Sequence, residues 1–491
     1  MASMNNKNSI KIHENCKVAP PSATEACFPL IFFDLLWFRL HPVERIFFYN
    51  LQNPESDPYF FFLKVVPKLK TSLSLTLQHF PALAGNIVWP SESEKPLVKF
   101  TPGDDGVSLI VAESNTDFNH ILEYNTLHEA AESRSFIPHL ESTDSSASVM
   151  SLQITLFPNR GFSIGISTHH AVLDGKSSTL FLKAWAYLCQ TSEESESESP
   201  SLLPDFEPFF DRKIIKDREP AELGIPFAKN WTEVLSMMFP VEKSNEQTLK
   251  ILPFPPKVED SVRGRFLLTR GDLEKIKKRV LSMWEKDFNR EGESIDSVSV
   301  PPSKPQTLSS FVLTCSYVLV CMAEAIHGVE KERQKFAFSF TVDCRARLEP
   351  PIPDNYIGNC VWSQIVDTEP MNFIKEEGLF LVAKGIHDKV KKLGEEGVLE
   401  VAKDGFSKVV ALASERAEML TVAGSNRFGV YGIDFGWGRP VKVEITSVDR
   451  GLIIGLAESE DGKGGVEVGL VLNKHVMDLF IALFHGGLCD E

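Results

Sequence analysis

The chain's strongest constraint on fold is a strand, a turn rich in ionisable groups and a helix in immediate succession. Phe162-Ser163-Ile164-Gly165-Ile166-Ser167-Thr168 alternates large apolar residues with small ones, the period of a strand. It runs directly into His169-His170-Ala171-Val172-Leu173-Asp174-Gly175. Beyond the turn, Leu180, Phe181, Ala184, Trp185 and Leu188 recur at three- and four-residue steps, which predicts a helix with Ser177 as its N-cap. The two histidines therefore stand at a strand end, where a rigid scaffold can present a reactive group.

The rest of the chain repeats this grammar. Residues 58–85 carry a helical stripe (Phe62, Leu63, Val66, Leu69, Leu73, Leu77, Phe80) that stops at Phe80-Pro81-Ala82-Leu83-Ala84-Gly85-Asn86. Short Val-, Ile- and Phe-rich runs at 97–100, 107–111 and 149–157 read as strands. In the second half, strands are expected at 265–269, 336–342, 428–435, 441–448, 452–456 and 465–472, with helices at 271–284, 308–327 and 473–484. Strands with interspersed helices point to an α/β architecture in each half. The length of 491 residues is about three times that of a usual domain, so two domains are expected. The Ser/Glu run within 191–204 cannot bury enough apolar surface to offset its ordering entropy and reads as a linker. A second soft insertion spans 290–304. The boundary falls in the crossover between about 190 and 225, dividing the chain into 1–205 and 206–491.

Charge and cysteine usage narrow the function classes. A net charge of −16 argues against sequence-independent binding to nucleic acid or anionic membranes, which require basic surface. The eight cysteines form no CxxC pair and no regular spacing, so a zinc site, a thioredoxin-like motif and a disulfide framework are unsupported, and no metal is expected. Residues 1–17 are polar, lack a signal-peptide core and read as a mobile start. The most apolar runs, 26–38 and 311–326, are too short to span a bilayer and carry Asp34 and Glu324. A cytoplasmic protein acting as a monomer is the expectation.

A neutral imidazole at His170 could take a proton from a hydroxyl or amine near pH 7. Asp174, four residues on, could orient backbone or ring, or pair with a distant arginine. The spacing alone is weak: with 12 histidines, chance gives about half of one HxxxD per chain of this size. Read without any resemblance, a histidine with both nitrogens satisfied by turn backbone is the more common outcome. The second feature is Tyr431-Gly432-Ile433-Asp434-Phe435-Gly436-Trp437-Gly438-Arg439-Pro440, where glycines permit unusual dihedrals and Asp434 could cap the turn.

Taken together, His170-to-Asp174 and Asp434-Phe435-Gly436-Trp437-Gly438, in this order and about 260 residues apart, resemble the paired signatures of the plant BAHD acyltransferases. Residues 80–86 resemble that family's early Leu-Pro-(small)-Leu-Ala-Gly stretch, and Val342-Asp343-Cys344-Arg345-Ala346-Arg347-Leu348 is similar to its Arg-x-Arg segment. The likeness runs from about residue 20 to the C-terminus. Tyr356-Ile357-Gly358-Asn359-Cys360 resembles the Tyr-Phe-Gly-Asn-Cys motif of the branch that acylates anthocyanin, flavonoid and phenolic glucosides, with Ile357 where Phe is usual. Ser425-Asn426-Arg427-Phe428 is also like that branch.

The resemblance implies a two-domain α/β fold like chloramphenicol acetyltransferase, with mixed sheets and a channel between the domains. Coenzyme A would enter one mouth and the acceptor the other. His170 would be the general base on the acceptor hydroxyl, worth roughly 10²–10⁴-fold, in a ternary complex without an acyl-enzyme. Asp174 would turn away from the substrate and pair with an arginine, for which Arg345 is the candidate. Asp434 would be required for the integrity of its loop, while His169 packs or hydrogen-bonds.

For coenzyme A, Thr307, Ser309 and Ser310 begin a helix whose N–H groups suit phosphate or amide groups, though simple N-capping explains them equally. Asp343, Cys344 and Arg345 would lie nearby by family analogy. Lys275, Lys277, Lys278 and Arg279 could meet the adenosine phosphates or form a solvated helix face. The implied donor is malonyl-CoA, as co-substrate with no bound cofactor, and the implied acceptor a sugar hydroxyl of a phenolic glucoside. A malonyl pocket needs an Arg or Lys. The rivals are an aromatic donor such as coumaroyl-CoA on the same fold, a condensation domain of the peptide synthetases, and a non-catalytic binding protein. The 35 phenylalanines read as core packing.

Overall fold

Two large mixed sheets and one small one carry the described architecture. The structure is a computed structural model that describes residues 10–93, 95–124, 126–191, 201–216, 248–252, 260–292, 305, 307–327, 336–368, 377–415 and 418–489. Most of the Ser/Glu run (192–200) and of the second insertion (293–304) lies outside these residues.

The first large sheet orders Ile10–Val18, Val107–Ser114, Met150–Phe157, Gly161–Thr168, Val43–Asn50 and Lys442–Ile445. Gly161–Thr168 lies between two antiparallel partners, and all eight of its residues are buried, which explains its small and apolar composition. The second sheet orders Val361–Thr368, Phe336–Asp343, Glu418–Gly424, Leu452–Glu458, Val466–Asn473, Ser261–Leu268 and His128–Glu129. A smaller sheet joins Ala26–Pro29, Leu97–Phe100, Asn86–Val88 and Ser146–Ser148. Helix Gly175–Thr191 packs on Val66–His79, where the buried Trp185 Nε1 donates to Leu69 O (3.2 Å) and Ser72 Oγ (3.1 Å). No helix among the described residues is long and apolar enough to cross a membrane.

Three sequence expectations need correction. Residues 10–18, read as part of a mobile start, form a largely exposed edge strand held by its pairing with Val107–Ser114. The helix in 58–85 ends at His79, and Pro81, lacking an N–H, starts a separate 3-10 turn over Pro81–Ala84. Residues 428–435 form no strand: Gly429 at φ +66° opens a 3-10 turn, Val430–Gly432.

The two large sheets each include a strand from the other half of the chain. Lys442–Ile445 pairs with Val43–Asn50, and His128–Glu129 pairs with Ser261–Leu268. Buried ions knit this seam. Arg134 Nη1 donates to Glu44 Oε2 at 2.5 Å, and Arg134 also grips Asp449. Arg450 Nη2 donates to Glu44 Oε1 at 2.8 Å. Glu444 meets Arg263 at 3.1 Å and Lys442 at 2.9 Å. Burial alone would raise the Glu444 carboxyl, but those two cations hold it down at about 2. Removing Glu44 takes one carboxylate from two largely buried guanidiniums and leaves Arg134 with Asp449 alone. Glu44→Ala should therefore lower stability by about 3 kcal/mol in denaturant unfolding, and a loss under about 1 kcal/mol would contradict the seam.

Candidate active site

The turn after Gly161–Thr168 is closed by its own backbone. His169 N–H donates to Val149 O (2.8 Å), and Val172 N–H donates to His169 O (3.0 Å). His169 is fully buried, and its Nδ1 accepts the Ala171 N–H at 3.2 Å. Burial, with His170 adding to it, pushes its imidazole down to about 3, so it is a neutral structural group at ordinary pH. The helix that follows is capped by Asp174, whose Oδ1 accepts the Ser177 N–H at 2.8 Å while its carbonyl accepts the Ser178 N–H at 3.0 Å. This corrects the expectation for Ser177, which already lies inside helix Gly175–Thr191 and cannot cap it.

The other carboxylate oxygen of Asp174 faces Arg345 Nη1 at 2.9 Å and accepts the Cys360 N–H at 3.2 Å. Both side chains are almost wholly out of water. Burial opposes the charge on each, yet each partner overcomes it: the Asp174 carboxyl is held low and the Arg345 guanidinium high. Arg345 Nη2 donates to Ser177 Oγ (3.1 Å) and to the carbonyls of Tyr356 and Gly358 (3.2 Å each).

Residues 356–360, read from the sequence only as a marker of one branch, are the brace of this turn. Asn359 Nδ2 donates to His170 O at 2.9 Å and to Asp34 Oδ1 at 3.1 Å. Asp34 also accepts from Ile31 N–H (3.0 Å) and Arg212 Nη1 (3.2 Å), and Arg212 reaches the Tyr356 hydroxyl at 2.6 Å. Gly358 sits at φ +150°, and a Cβ there would stand 2.0 Å from Arg212 Nη1. Asp34 and Asn359 were missed as site residues. The signal was present, because an acid inside the apolar run 26–38 has to find partners.

His170 opens onto a cavity of about 900 Å³. The Trp37 indole stacks flat on its imidazole, with centroids 4.1 Å apart and planes within 5°. Nδ1 is buried with no hydrogen-bond partner, while the residue itself lines the cavity. Burial pushes this imidazole down to about 4, with His41 adding to the effect and Asp174 opposing it. At neutral pH His170 therefore carries a free lone pair.

Thr307, Ser309, Asp343 and Arg345 line the same cavity. Ser309 Oγ also accepts the Val312 N–H at 3.3 Å, so capping and cavity lining coexist. Ser310 and Cys344 do not line it: Ser310 Oγ accepts from Asn426 Nδ2 (2.8 Å), and the buried Cys344 thiol donates to Val342 O (3.3 Å). The basic cluster is also elsewhere, with Lys275 and Arg279 donating to Leu488 O (3.3 Å) and Gly487 O (2.8 Å) beyond the last helix.

Asp434 stands off the cavity wall. Its Oδ1 accepts the N–H groups of Gly436 (2.7 Å) and Gly438 (3.0 Å), both glycines having φ near +100° (103° and 101°). Phe435 then packs edge-on against Trp185 at 4.8 Å, and Trp437 against Phe162 at 6.1 Å. The loop thus wedges beneath the strand and helix that flank His170. Among the described residues His120, His128 and Glu132 bring three ligand-type atoms within 4.8 Å, away from this cavity and beside Lys442 and Arg263, whose charge opposes a cation.

Two predictions follow from this geometry. Asp174→Asn removes the buried carboxylate from Arg345 and leaves it only the half-exposed Asp343 at 3.2 Å, so it should lower stability by about 3 kcal/mol together with the rate. A large rate loss with unchanged melting and unchanged coenzyme A affinity would contradict the bracing role. The buried imidazoles set a second expectation. His128 (about 4), His169 (about 3) and His170 (about 4) lie below the ordinary 6.5, so between pH 6.5 and 4 the unfolded chain binds protons the folded one refuses. Stability should be full above pH 6.5 and fall toward pH 4, by up to roughly 1.4 kcal/mol per pH unit for each imidazole. A flat denaturation midpoint across that window would contradict their burial.

Comparison with known proteins agrees with the site. The family model described as Transferase family matches residues 9–484. Phenolic glucoside malonyltransferase 1 of Arabidopsis thaliana is 40% identical, over 98% of each chain. The malonyl-CoA:anthocyanidin 5-O-glucoside-6''-O-malonyltransferase of the same plant is 37% identical, over 99% of this chain and 100% of that protein. Among solved structures, vinorine synthase matches 97% of this chain and 98% of its own with a TM-score of 0.68 at 19% identity, which establishes the chloramphenicol-acetyltransferase-like fold. A braced His170 beside a large cavity, in a chain matched from end to end, places this protein in the Transferase family of BAHD acyltransferases.

Proposed function

We propose that this enzyme transfers the malonyl group of malonyl-CoA to a sugar hydroxyl of a phenolic, flavonoid or anthocyanin glucoside, with His170 as general base. The observation that carries the reading is the neutral His170 on the wall of a cavity of about 900 Å³, large enough for both substrates to meet. The near-full-length similarity to malonyltransferases of such glucosides supports the donor and acceptor classes. In the same reading, 1–205 and 206–491 are two domains of a cytoplasmic monomer, and coenzyme A contacts Thr307, Ser309, Asp343 and Arg345.

Chemically, His170 Nε2 accepts the proton of the acceptor hydroxyl as its oxygen attacks the thioester carbonyl. A C–O bond forms, the C–S bond then breaks, and the imidazolium returns its proton to the departing thiolate. Asp174, saturated by Arg345 and two backbone N–H groups, fixes the turn and takes no proton. The apolar wall of Trp37, Phe311, Met419 and Phe428 favours a second donor class, the hydroxycinnamoyl thioesters.

The test is acyl transfer to a panel of phenolic glucosides with malonyl-CoA and coumaroyl-CoA. Malonyl-CoA should be preferred, and His170→Ala should lower kcat roughly 10²–10⁴-fold. Preference for coumaroyl-CoA would overturn the donor, and an unimpaired His170→Ala would overturn the mechanism.

A further inference from the structure

One cation on the cavity wall stands apart in its surroundings. Arg45 retains only 4% of its exposure, yet among the described residues no carboxylate lies within ion-pair distance of it. Arg134, Arg212, Arg263 and Arg345 each face an acid at 3.2 Å or less. Arg39 also lacks one, but it lies off the cavity and donates to Lys250 O at 3.0 Å. Arg45 Nη1 donates to Thr179 Oγ1 at 3.2 Å, and its guanidinium lies 5.9 Å over the Phe428 ring. Nε and Nη2 donate to no described residue.

The local charge balance is positive. Glu458 acts from beyond ion-pair distance on Arg45 and on Lys183, and its Oε1 is committed to the Tyr431 N–H at 2.9 Å. Lys183 Nζ is committed to Phe428 O at 2.7 Å. Two cations thus share one carboxylate, and burial pushes Arg45 down to about 10, which leaves it charged at neutral pH. A buried charge without a partner is expensive to keep, by several kcal/mol. A cavity-lining guanidinium in that condition is suited to an anion that arrives with a ligand.

Its position fits the acyl end of the donor. Arg45 pairs with Ile166 on the strand that leads to His170. Phe428, beneath the guanidinium, presses on Gly175, where a Cβ would stand 2.6 Å from the ring. Arg45, Phe428 and the first turn of helix Gly175–Thr191 therefore form one wall next to the turn that carries His170.

We propose that Arg45 is the donor-carboxylate subsite: its free N–H groups bind the terminal carboxylate of the malonyl group and hold the thioester carbonyl toward His170. The inference rests on the malonyl reading above. A guanidinium fork matches a carboxylate with two parallel hydrogen bonds, and an uncharged acyl group would leave the fork unpaired. Arg45 is thus a specificity determinant that distinguishes malonyl from acetyl or hydroxycinnamoyl donors. The other titratable groups near this wall are already engaged, Asp174 with Arg345 and His41 Nδ1 with Pro42 O at 3.1 Å.

The experiment measures kcat/KM for malonyl-CoA and for acetyl-CoA in wild type and Arg45→Gln with one phenolic glucoside acceptor. The malonyl-to-acetyl ratio should fall about 100-fold, the scale of losing one member of a buried charge pair. An unchanged ratio, whether both rates hold or both fall together, would overturn the subsite and leave the malonyl reading standing. A wild-type enzyme that does not use malonyl-CoA would overturn both. If thermal unfolding shows that Arg45→Gln does not fold, Arg45→Lys is read in the same assays. It keeps the charge without the fork, so its ratio should fall less than 100-fold but measurably, about tenfold, and an unchanged ratio overturns the proposal.

Discussion

The Asp174–Arg345 ion pair, 2.9 Å long and nearly free of water contact, is the joint on which the site depends. It connects the helix that follows His170 to a segment about 170 residues further along the chain. Two charges removed from water are stable only when every other lone pair and proton is answered. Ser177, Cys360, Tyr356, Gly358 and Asp343 supply most of those answers, with Arg345 Nε left unpaired. The pair is satisfied only when both halves of the molecule are in register, so the catalytic turn is shaped by the whole fold.

Next to this charged joint lies its electrostatic opposite. His169 and His170 are kept neutral by burial, one with its Nδ1 turned to its own loop, the other stacked under Trp37. A base that is uncharged at neutral pH needs no deprotonation before it acts. On the same cavity wall the Arg45 guanidinium has no carboxylate within ion-pair distance among the described residues, which is what suits it to the donor-carboxylate role proposed above. The Asp434 loop contributes from outside, its glycines wrapped on one carboxylate oxygen and its aromatics wedged under the flanking strand and helix.

Much of this was legible in the sequence where local rules govern. The alternation of Phe162 to Thr168 identified a strand, because large and small side chains alternate between its two packed faces, and the stripe from Leu180 to Leu188 a helix, because its period reports the buried face. The cap was misread at Ser177 because Asp174 and Ser177 are both good caps in isolation, and only the helix start separates them. Long-range pairing was the harder problem. Lys442–Ile445 crossing to the first sheet, and Asp34 bonding Asn359 at a separation of more than 300 residues, leave no periodicity to read. Arg45 was invisible for the same reason: its significance is the absence of a partner, which exists only in three dimensions.

The central claim is that the braced turn holds His170 neutral on the cavity wall, so that Nε2 can act as the base proposed above. Long-range ¹⁵N–¹H NMR of histidine-labelled enzyme, with the His170 signals assigned through His170→Gln, measures this directly. The account predicts an unprotonated, acceptor-type Nε2 at pH 7 that stays so until the pH approaches 4. Titration near the ordinary value of 6.5, or a proton on Nε2 at neutral pH, would contradict it.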